Sequence, residues 1–142
     1  MSPMDNPGFP PAEVSVLLRI EGLAAFAVAV VAFYATGGNW WLFAALILAP
    51  DLSALAFLAG YRTGARTYNI AHTYSLPAAL GGVAWLSGTT WLISVALIWI
   101  AHIGIDRVLG YGLRYPALEN ATHLGWVGKA RKRAGVAGVD RT

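Results

Sequence analysis

The sequence contains no cysteine and few charged residues. Without cysteine, the chain forms no disulfide bonds, zinc–cysteine sites or iron–sulfur clusters, and it has no thiolate nucleophile. Charged residues occupy only 12% of its 142 positions, whereas a soluble domain carries about 25%. Such a chain lacks the polar surface that covers a globule in water. We therefore expect lipid to be its solvent and its length to form one domain.

Apolar residues and a basic excess make up the rest of the composition. The chain is 57% hydrophobic, its mean hydropathy is +0.57, and its isoelectric point is near 9.5. The basic residues cluster at the ends of apolar stretches and in the tail, and no nucleic-acid recognition motif accompanies them. The expected partners are therefore the lipid bilayer and anionic lipid headgroups at the basic tail, and nucleic acid is not expected.

Four apolar stretches are long enough to cross a bilayer as helices, which takes about 20 residues. The predicted spans are about Val14 to Tyr34, Trp40 to Gly60, Tyr68 to Leu86, and Thr89 to Leu109. The polar segment Tyr61 to Thr67 is predicted to be the connection between the second and third spans. The sequence therefore predicts an all-α fold, a four-span transmembrane helical bundle.

Lysine and arginine are distributed unevenly between the two sides of this bundle. All of them lie on the side shared by the N-terminal leader, the second connection and the C-terminal tail, or within two turns of it. The positive-inside rule then places both termini in the cytoplasm. The predicted parts are a cytoplasmic leader (1–13), a transmembrane domain (14–112) and a basic cytoplasmic tail (113–142). In the tail, Leu124 to Val127 is a candidate membrane-surface segment, and the last dozen residues are either part of that surface or disordered.

Two prolines interrupt the predicted spans. Pro50 lies at the middle of the second span, where it removes a helical hydrogen bond and frees the carbonyl of Leu46. A break of this kind in lipid must be satisfied by neighbouring helices or water. We therefore expect Pro50 and the adjacent Asp51 to face the bundle interior. Pro77 interrupts the third span in the same way.

Ionisable residues recur at one depth in the predicted bundle. His102 and Asp106 are four residues apart, so they share a face of the last span. Glu21, Asp51 and His72 lie at similar depths in the other three spans. Isolated charges inside a membrane are costly, so these groups are expected to share one cavity in the cytoplasmic half.

One interpretation of this layer is a metal centre. Two histidines and two carboxylates form a ligand set that zinc, manganese or iron accepts. The predicted ligands are Asp51, His72, His102 and Asp106. Glu21 is predicted to be the acid–base group or the partner of a ligand, and a bound water would be the nucleophile.

The alternative interpretation is a structural polar network that fixes helix packing. Its members would satisfy one another in pairs, namely Arg19 with Glu21, Arg107 with Asp106, and Asn69 with His72. In this interpretation no ion is needed. The His-x-x-x-Asp spacing alone does not decide between the two.

His123, in the tail, is expected to be solvated.

Four segments carry a resemblance to a known family: PDLSALAFLAG, YNIAHTYSLP, AHIGIDRVLGYGLRYP and THLG. They resemble a bacterial family of small four-helix membrane proteins known as a domain of unknown function (family 4260). The resemblance covers about Val14 to Gly125 and implies a multi-pass protein of the bacterial inner membrane. It brings no activity. The polar signature that it implies is formed here by Asp51, Asn69, His72, His102, Asp106 and Arg107.

The chain also resembles membrane-bound metal-dependent hydrolases, over fewer residues. The matching features are Pro50-Asp51, His72-Thr73, and His102 to Asp106 followed by Gly110 and Pro116. Two features of those hydrolases are missing here, an additional aspartate beside Asp51 and a basic residue paired with histidine before His72. The resemblance implies hydrolysis, and the shorter ligand set puts a two-metal site in doubt.

Three functions follow from these features. The leading hypothesis is an intramembrane His/Asp centre that opens to the cytoplasm, binds a divalent metal and acts on an amphiphilic, lipid-like substrate. The second is a non-enzymatic membrane scaffold, or a subunit of a membrane complex, whose polar residues fix helix packing. The third is a proton-coupled carrier that works as a homo-oligomer, because four helices enclose little volume.

Overall fold

The computed structural model describes residues 10–128, which are mostly helical. The all-α class is therefore confirmed. The elements are α1 (Ala12–Ala35), α2 (Trp40–Leu46), a 3₁₀ segment (Ala49–Ala59), α3 (Tyr61–Ala71), α4 (Ser75–Ser87) and α5 (Thr90–Leu109), followed by two-residue strands β1 (Ala121–Thr122) and β2 (Gly125–Trp126). The two strands pair antiparallel, with Ala121 opposite Trp126. Parts of the predicted leader and tail, residues 1–9 and 129–142, lie outside the described residues.

Three stretches of helix within residues 10–128 are long and apolar enough to cross a membrane by length and composition. They are Ala12–Ala35, Trp40–Ala59 and Thr90–Leu109, which coincide with the first, second and fourth predicted spans. Large apolar side chains project outward from these stretches, for example Val28, Leu58 and Trp91. Contiguous exposed apolar surface of this kind is unusual for a protein in water.

Pro50 breaks the second of these stretches where the sequence predicts a break. Helix α2 ends at Leu46, the residue four positions earlier whose carbonyl a proline cannot bond. The chain continues as the 3₁₀ segment, in which the Asp51 N–H donates to the Leu48 carbonyl at 3.1 Å. A 3₁₀ run longer than about four residues is uncommon and often marks a functional segment. The break places Asp51 at the start of such a run.

The third predicted span is not one continuous helix. Helix α3 ends at Ala71 and α4 begins at Ser75, with His72 to Tyr74 between them. The cause is Pro77, because in an unbroken helix its ring would clash with the carbonyl of Thr73. The third predicted span, Tyr68 to Leu86, is therefore interrupted, as Pro77 predicts, and the break lies at His72 to Tyr74.

The prediction of a polar connection at Tyr61 to Thr67 is also wrong, because this segment is helical. Gly60 adopts a positive φ of 109° and turns the chain into α3. One face of α3 is buried, and its members Gly64, Ala65 and Tyr68 recur at helical spacing. Arg62 and Arg66 occupy the exposed face, so α3 is an amphipathic helix.

Helix α5 is the centre of the bundle. It packs against α1 and α4 and also contacts α2 and the 3₁₀ segment, while α3 packs on the 3₁₀ segment. Its buried residues are Ser94, Ala96, Ile98, Ala101, His102, Ile103, Gly104, Asp106 and Arg107. The 3₁₀ segment, which carries Asp51, therefore lies against α5, which carries His102 and Asp106.

Helices α1 and α5 cross in backbone contact at two glycines. A Cβ built on Gly104 would lie 2.7 Å from the Gly22 carbonyl oxygen and 2.7 Å from the Phe26 nitrogen. A Cβ built on Gly22 would collide with the Cβ of Arg107. Small residues allow this close approach. The crossing fixes the height of α5, and with it the height of His102 and Asp106.

We expect Gly104→Ala to destabilise the bundle by about 1–3 kcal/mol, because the added methyl group must push two backbones apart. Gly82→Ala is the matched control, since a Cβ on Gly82 meets nothing within 4 Å. The control should be neutral or stabilising by about 0.5–1 kcal/mol, the helix preference of alanine over glycine. Unfolding titrations in mixed micelles measure both. Equal stabilities of the two variants would contradict the packing described.

The segment after α5 folds back over the helices. The Ser15 hydroxyl donates to the Leu124 carbonyl at 2.9 Å, and Leu124 is buried. The amide of Asn69 bonds both the N–H and the C=O of Arg114, each at 2.7 Å. The predicted membrane-surface segment at Leu124 to Val127 therefore includes a buried residue that packs against α1.

Candidate metal centre

Four side chains from three parts of the chain meet beside α5. Asp51 comes from the 3₁₀ segment, His72 from the residue that follows α3, and His102 and Asp106 from α5. One nitrogen or oxygen atom of each lies within 4.8 Å of the others. These are the four metal ligands that the sequence predicts, so the structure brings the whole predicted ligand set together. We refer to these four residues as the His/Asp cluster.

The distances within the His/Asp cluster are those of a coordination sphere. The two histidine Nε2 atoms are 3.1 Å apart, and each lies 3.4–3.6 Å from Asp51 Oδ1 and Asp106 Oδ2. A tetrahedral ion bound at about 2.0–2.1 Å separates its ligand atoms by roughly 3.3–3.4 Å. The five separations that involve a histidine nitrogen are therefore close to those around a tetrahedral ion, and all four atoms lie within 4.8 Å of one another.

The ring of His72 is oriented as a ligand. Its Nδ1 lies 2.9 Å from the carbonyl oxygen of Tyr68. A carbonyl oxygen accepts only, so Nδ1 donates to it and Nε2 is the ring nitrogen that faces the cluster. Metal-bound histidines are usually held by this kind of contact at their other nitrogen.

The cluster holds two carboxylates whose ion-pair partners among residues 10–128 are its own histidines. Within residues 10–128, neither Asp51 nor Asp106 forms an ion pair with lysine or arginine. The nearby Arg107 directs its guanidinium to the carbonyls of Tyr111 and His72, at 3.0 and 2.9 Å. Carboxylates gathered in a largely buried site need a cation or a proton donor beside them. The two histidines supply one such partner when protonated, and the four side chains together could also hold a metal ion.

Tyr68 supports the cluster, and sequence reasoning missed it. Its hydroxyl donates to Asp106 Oδ2 at 3.2 Å, and its ring stacks on His72 with centroids 3.7 Å apart. The guanidinium of Arg114 lies 5.0 Å from the centre of the Tyr68 ring. Tyr68 lies four residues before His72 in the sequence, and this helical spacing was the available signal.

Three of the four candidate ligands are buried, and the fourth opens the site. His72 and His102 are 0% and 2% exposed, and Asp106 is buried too. The side chain of Asp51 is 48% exposed. The cluster is therefore accessible from the side of the 3₁₀ segment, where Asp51 lies.

The break after α3 is held open by hydrogen bonds from α5. The carbonyl of Ala71 accepts the indole N–H of Trp99 at 2.6 Å, and the carbonyl of His72 accepts Arg107 at 2.9 Å. These two donors satisfy backbone groups that the end of a helix leaves unpaired. Trp99 therefore anchors the segment that positions His72.

The three predicted ion and hydrogen-bond pairs of the structural network are wrong. Arg19 donates to the carbonyl of Val108 at 2.9 Å, Arg107 donates to backbone carbonyls, and Asn69 bonds the backbone of Arg114. In each case the partner is a backbone group, which for the two arginines lies at or near the end of a helix and for Asn69 lies in the C-terminal segment. Carbonyl groups at the end of a helix have no partner within that helix, so they accept hydrogen bonds from nearby side chains. Arg19, Asn69 and Arg107 thus hold the helix ends and the C-terminal segment in place.

Glu21, the predicted acid–base residue, is not part of the His/Asp cluster. Its exposed side chain lines a separate cavity of about 290 Å³, together with Tyr74, Arg107 and His123. The structure therefore brings four of the five predicted site residues together and leaves Glu21 elsewhere.

His123 is half-buried rather than solvated, so that expectation is wrong. Its Nδ1 accepts the N–H of Leu113 at 2.8 Å. Burial lowers the pKa of His123 below its ordinary value of 6.5, and the positive charge of Arg107 lowers it further. The neutral ring is therefore the form that holds the C-terminal segment.

We expect the C-terminal segment to loosen when the pH falls. Because the pKa of His123 is lower in the docked segment than in an undocked one, docking is fully stabilised above pH 6.5 and weakens as the pH falls through the lowered pKa. Arg107, Glu21 and Tyr74 line the same cavity, and only Glu21 among them carries negative charge. The rate of hydrogen exchange of the Leu113 amide, corrected for its intrinsic pH dependence, should increase as the pH falls from about 7.5 to about 5.5. An equal rise in His123→Asn would contradict this assignment.

Comparison with known proteins gives one match. A family model described as a domain of unknown function (DUF4260) matches residues 15–127. No curated protein and no solved structure matches the chain.

Proposed function

The chain belongs to the DUF4260 family, and we propose that it is a membrane hydrolase that binds one divalent metal ion in its His/Asp cluster and acts on an amphiphilic substrate. One observation carries the proposal. Two histidine nitrogens lie 3.1 Å apart and 3.4–3.6 Å from two carboxylate oxygens, and no arginine or lysine within residues 10–128 pairs with either carboxylate.

The membrane location is supported by the three long apolar helices and by their outward apolar side chains. We propose a multi-pass protein of the cell membrane, with the cluster in the cytoplasmic half and the basic tail toward anionic lipid. A substrate that reaches such a site laterally from the bilayer is amphiphilic.

The four candidate ligands are proposed to have different roles. His72, His102 and Asp106 are buried and braced, by the Tyr68 carbonyl and hydroxyl in particular, so they suit permanent ligation. Asp51 is half-exposed and comes from the 3₁₀ segment, so it can leave the ion. Three protein ligands with one exchangeable position are the arrangement of catalytic zinc sites.

The spacing of the cluster favours zinc over manganese or iron. Neighbouring ligands of an octahedral ion bound at about 2.1 Å are roughly 3.0 Å apart. Four of the five measured separations are 3.4–3.6 Å, nearer to the tetrahedral value. Zinc is the tetrahedral ion among the three.

A divalent metal at this position supplies Lewis acidity that polarises a substrate carbonyl and makes water a better nucleophile. Asp51 is positioned to accept the proton of the attacking water. The oxygen of water forms the new bond to the acyl carbon, the bond to the leaving alcohol breaks, and the proton passes to that alcohol. The products are an acid and an alcohol. Tyr68 holds Asp106 in place throughout.

The experiment that tests this function is hydrolysis of p-nitrophenyl laurate by the purified protein in detergent micelles. We expect turnover with Zn²⁺, loss of turnover after treatment with a chelator, and recovery when Zn²⁺ is restored. The reason is that the ion would polarise the carbonyl and the water, which Asp51 as a base cannot do alone. A metal-loaded protein without turnover on acyl esters of several chain lengths would contradict the hydrolase and favour a structural metal site.

A further inference from the structure

We infer that the apolar cavity beside the His/Asp cluster binds a single acyl chain. The binding of an acyl chain here does not depend on the proposed function. The identification of that acyl chain as part of the substrate rests on the proposed function. The cavity has a volume of about 310 Å³, and most of its lining side chains are apolar, among them Leu46, Ala49, Val95 and Ile98. Ligand pockets span about 300–1,000 Å³, so this cavity has room for one chain rather than a two-chain lipid.

The cavity adjoins the His/Asp cluster along three parts of the chain. Its lining residue Pro50 directly precedes Asp51, and Ala71 directly precedes His72. On α5, Ile98 lies one helical turn before His102. A chain in the cavity would therefore end at the cluster, with its polar end beside Asp51.

Two features of the cavity walls keep the cavity from being filled by the protein itself. Pro50 ends the regular helix on one side and prevents the backbone from closing across the gap. On the other side the indole of Trp99 is held by its 2.6 Å hydrogen bond to the Ala71 carbonyl. None of the described residues of Trp40–Ala59 is buried, so this wall faces the expected lipid. An acyl chain can reach the cavity from the bilayer.

Ser53 gives the cavity a polar contact near the cluster. Its hydroxyl is buried and has no hydrogen-bond partner among residues 10–128. A buried hydroxyl normally has a partner, because desolvation without one is unfavourable. The carbonyl oxygen of an acyl group that enters the cavity would accept this bond. The cavity therefore selects an acyl chain over a plain hydrocarbon.

Photolabelling tests this binding site. The full-length protein in phosphatidylcholine vesicles is irradiated with dodecanoic acid that carries a diazirine in its chain, and the labelled residues are located by mass spectrometry. We expect label within residues 46–53 and 95–99, at the cavity walls. Label spread over the outward face of α1, with none at these walls, would overturn the proposal.

Two cavity-filling variants strengthen the test. Val95→Trp should lower wall labelling by about tenfold or more, because the larger side chain occupies the site, whereas Val31→Trp on the exposed face of α1 should not. Ala49→Phe fills the cavity from the opposite wall. It replaces Val95→Trp in the experiment if that variant does not fold. Unchanged wall labelling in a folded filling variant would overturn the proposal.

A second comparison separates this inference from the metal function. Ser53→Ala should reduce labelling by the diazirine acid but not labelling by a diazirine alkane of equal length. Wall labelling should persist in His102→Ala, since the cavity does not include the ion. Failure of ester hydrolysis with persistent wall labelling would reject the hydrolase alone. Loss of wall specificity with intact hydrolysis would reject the acyl site alone.

Discussion

Replacement of His102 by alanine is expected to lower the affinity for Zn²⁺ by more than about 100-fold, which exceeds the usual effect of losing a supporting residue around a metal. His102 Nε2 lies within 3.1–3.6 Å of the other three candidate ligand atoms. Its removal leaves one histidine and two carboxylates, and α5 offers no other described donor to the cluster. Competition with a chromophoric chelator, on protein in detergent, measures the affinity.

His123→Ala is the matched control for this substitution. It removes a histidine that lies in a different cavity and bonds the backbone of Leu113. We expect it to bind Zn²⁺ with the affinity of the wild type. Equal affinities of His102→Ala and the wild type would place the ion elsewhere and contradict the metal centre.

Replacement of Asp51 by asparagine is expected to reduce the turnover of p-nitrophenyl laurate by about 100- to 10,000-fold, the usual contribution of a general base. Zinc should remain bound, because His72, His102 and Asp106 are the buried ligands. Asparagine keeps the size of the side chain but cannot accept a proton. Loss of turnover with retained zinc would therefore identify Asp51 as the base.

Glu21→Gln distinguishes the two candidate bases. The sequence predicts Glu21 as the acid–base group, and the structure places it in a cavity outside the cluster. We expect this variant to turn over at the rate of the wild type and to bind as much zinc as the wild type. A loss in Glu21→Gln comparable to that in Asp51→Asn would contradict the assignment of Asp51.

Hydropathy and helical spacing account for what the sequence predicted well. Three of the predicted spans coincide with apolar helical stretches, because the need for about 20 apolar residues is independent of tertiary contacts. His102 and Asp106 share a face of α5 because four residues make about one helical turn. Pro50 predicted the end of α2 at Leu46, from the hydrogen bond that proline lacks. Asp51, expected to face the interior, reaches the two histidines but keeps 48% of its side chain exposed.

The hydrogen-bond partners of the polar side chains and the rotation of α1 on α5 could not be predicted in the same way. Each of Arg19, Asn69 and Arg107 bonds backbone groups, and the sequence does not show which carbonyls the packing leaves unpaired. The direction of Glu21 depends on the contact of its neighbour Gly22 with Gly104, which fixes the rotation of α1 on α5. Such contacts depend on tertiary packing rather than on periodicity.

The helix break at His72 was partly predictable. Pro77 indicates that the helix cannot continue, but not that His72 is the residue at the break. That position depends on Trp99 and Arg107, which donate to the carbonyls of Ala71 and His72. The same contacts bring Tyr68 over the ring of His72, so the support of the cluster could be recognised only in the fold.

The most direct test of the central claim is metal analysis of the wild-type protein. The protein would be purified from membranes without chelator, with a second sample reconstituted with Zn²⁺, Mn²⁺ and Fe²⁺ in turn. The His/Asp cluster predicts an equimolar amount of one ion, with zinc bound most tightly because the ligand spacing is tetrahedral. A protein that is folded and contains no metal after either treatment would contradict the metal centre.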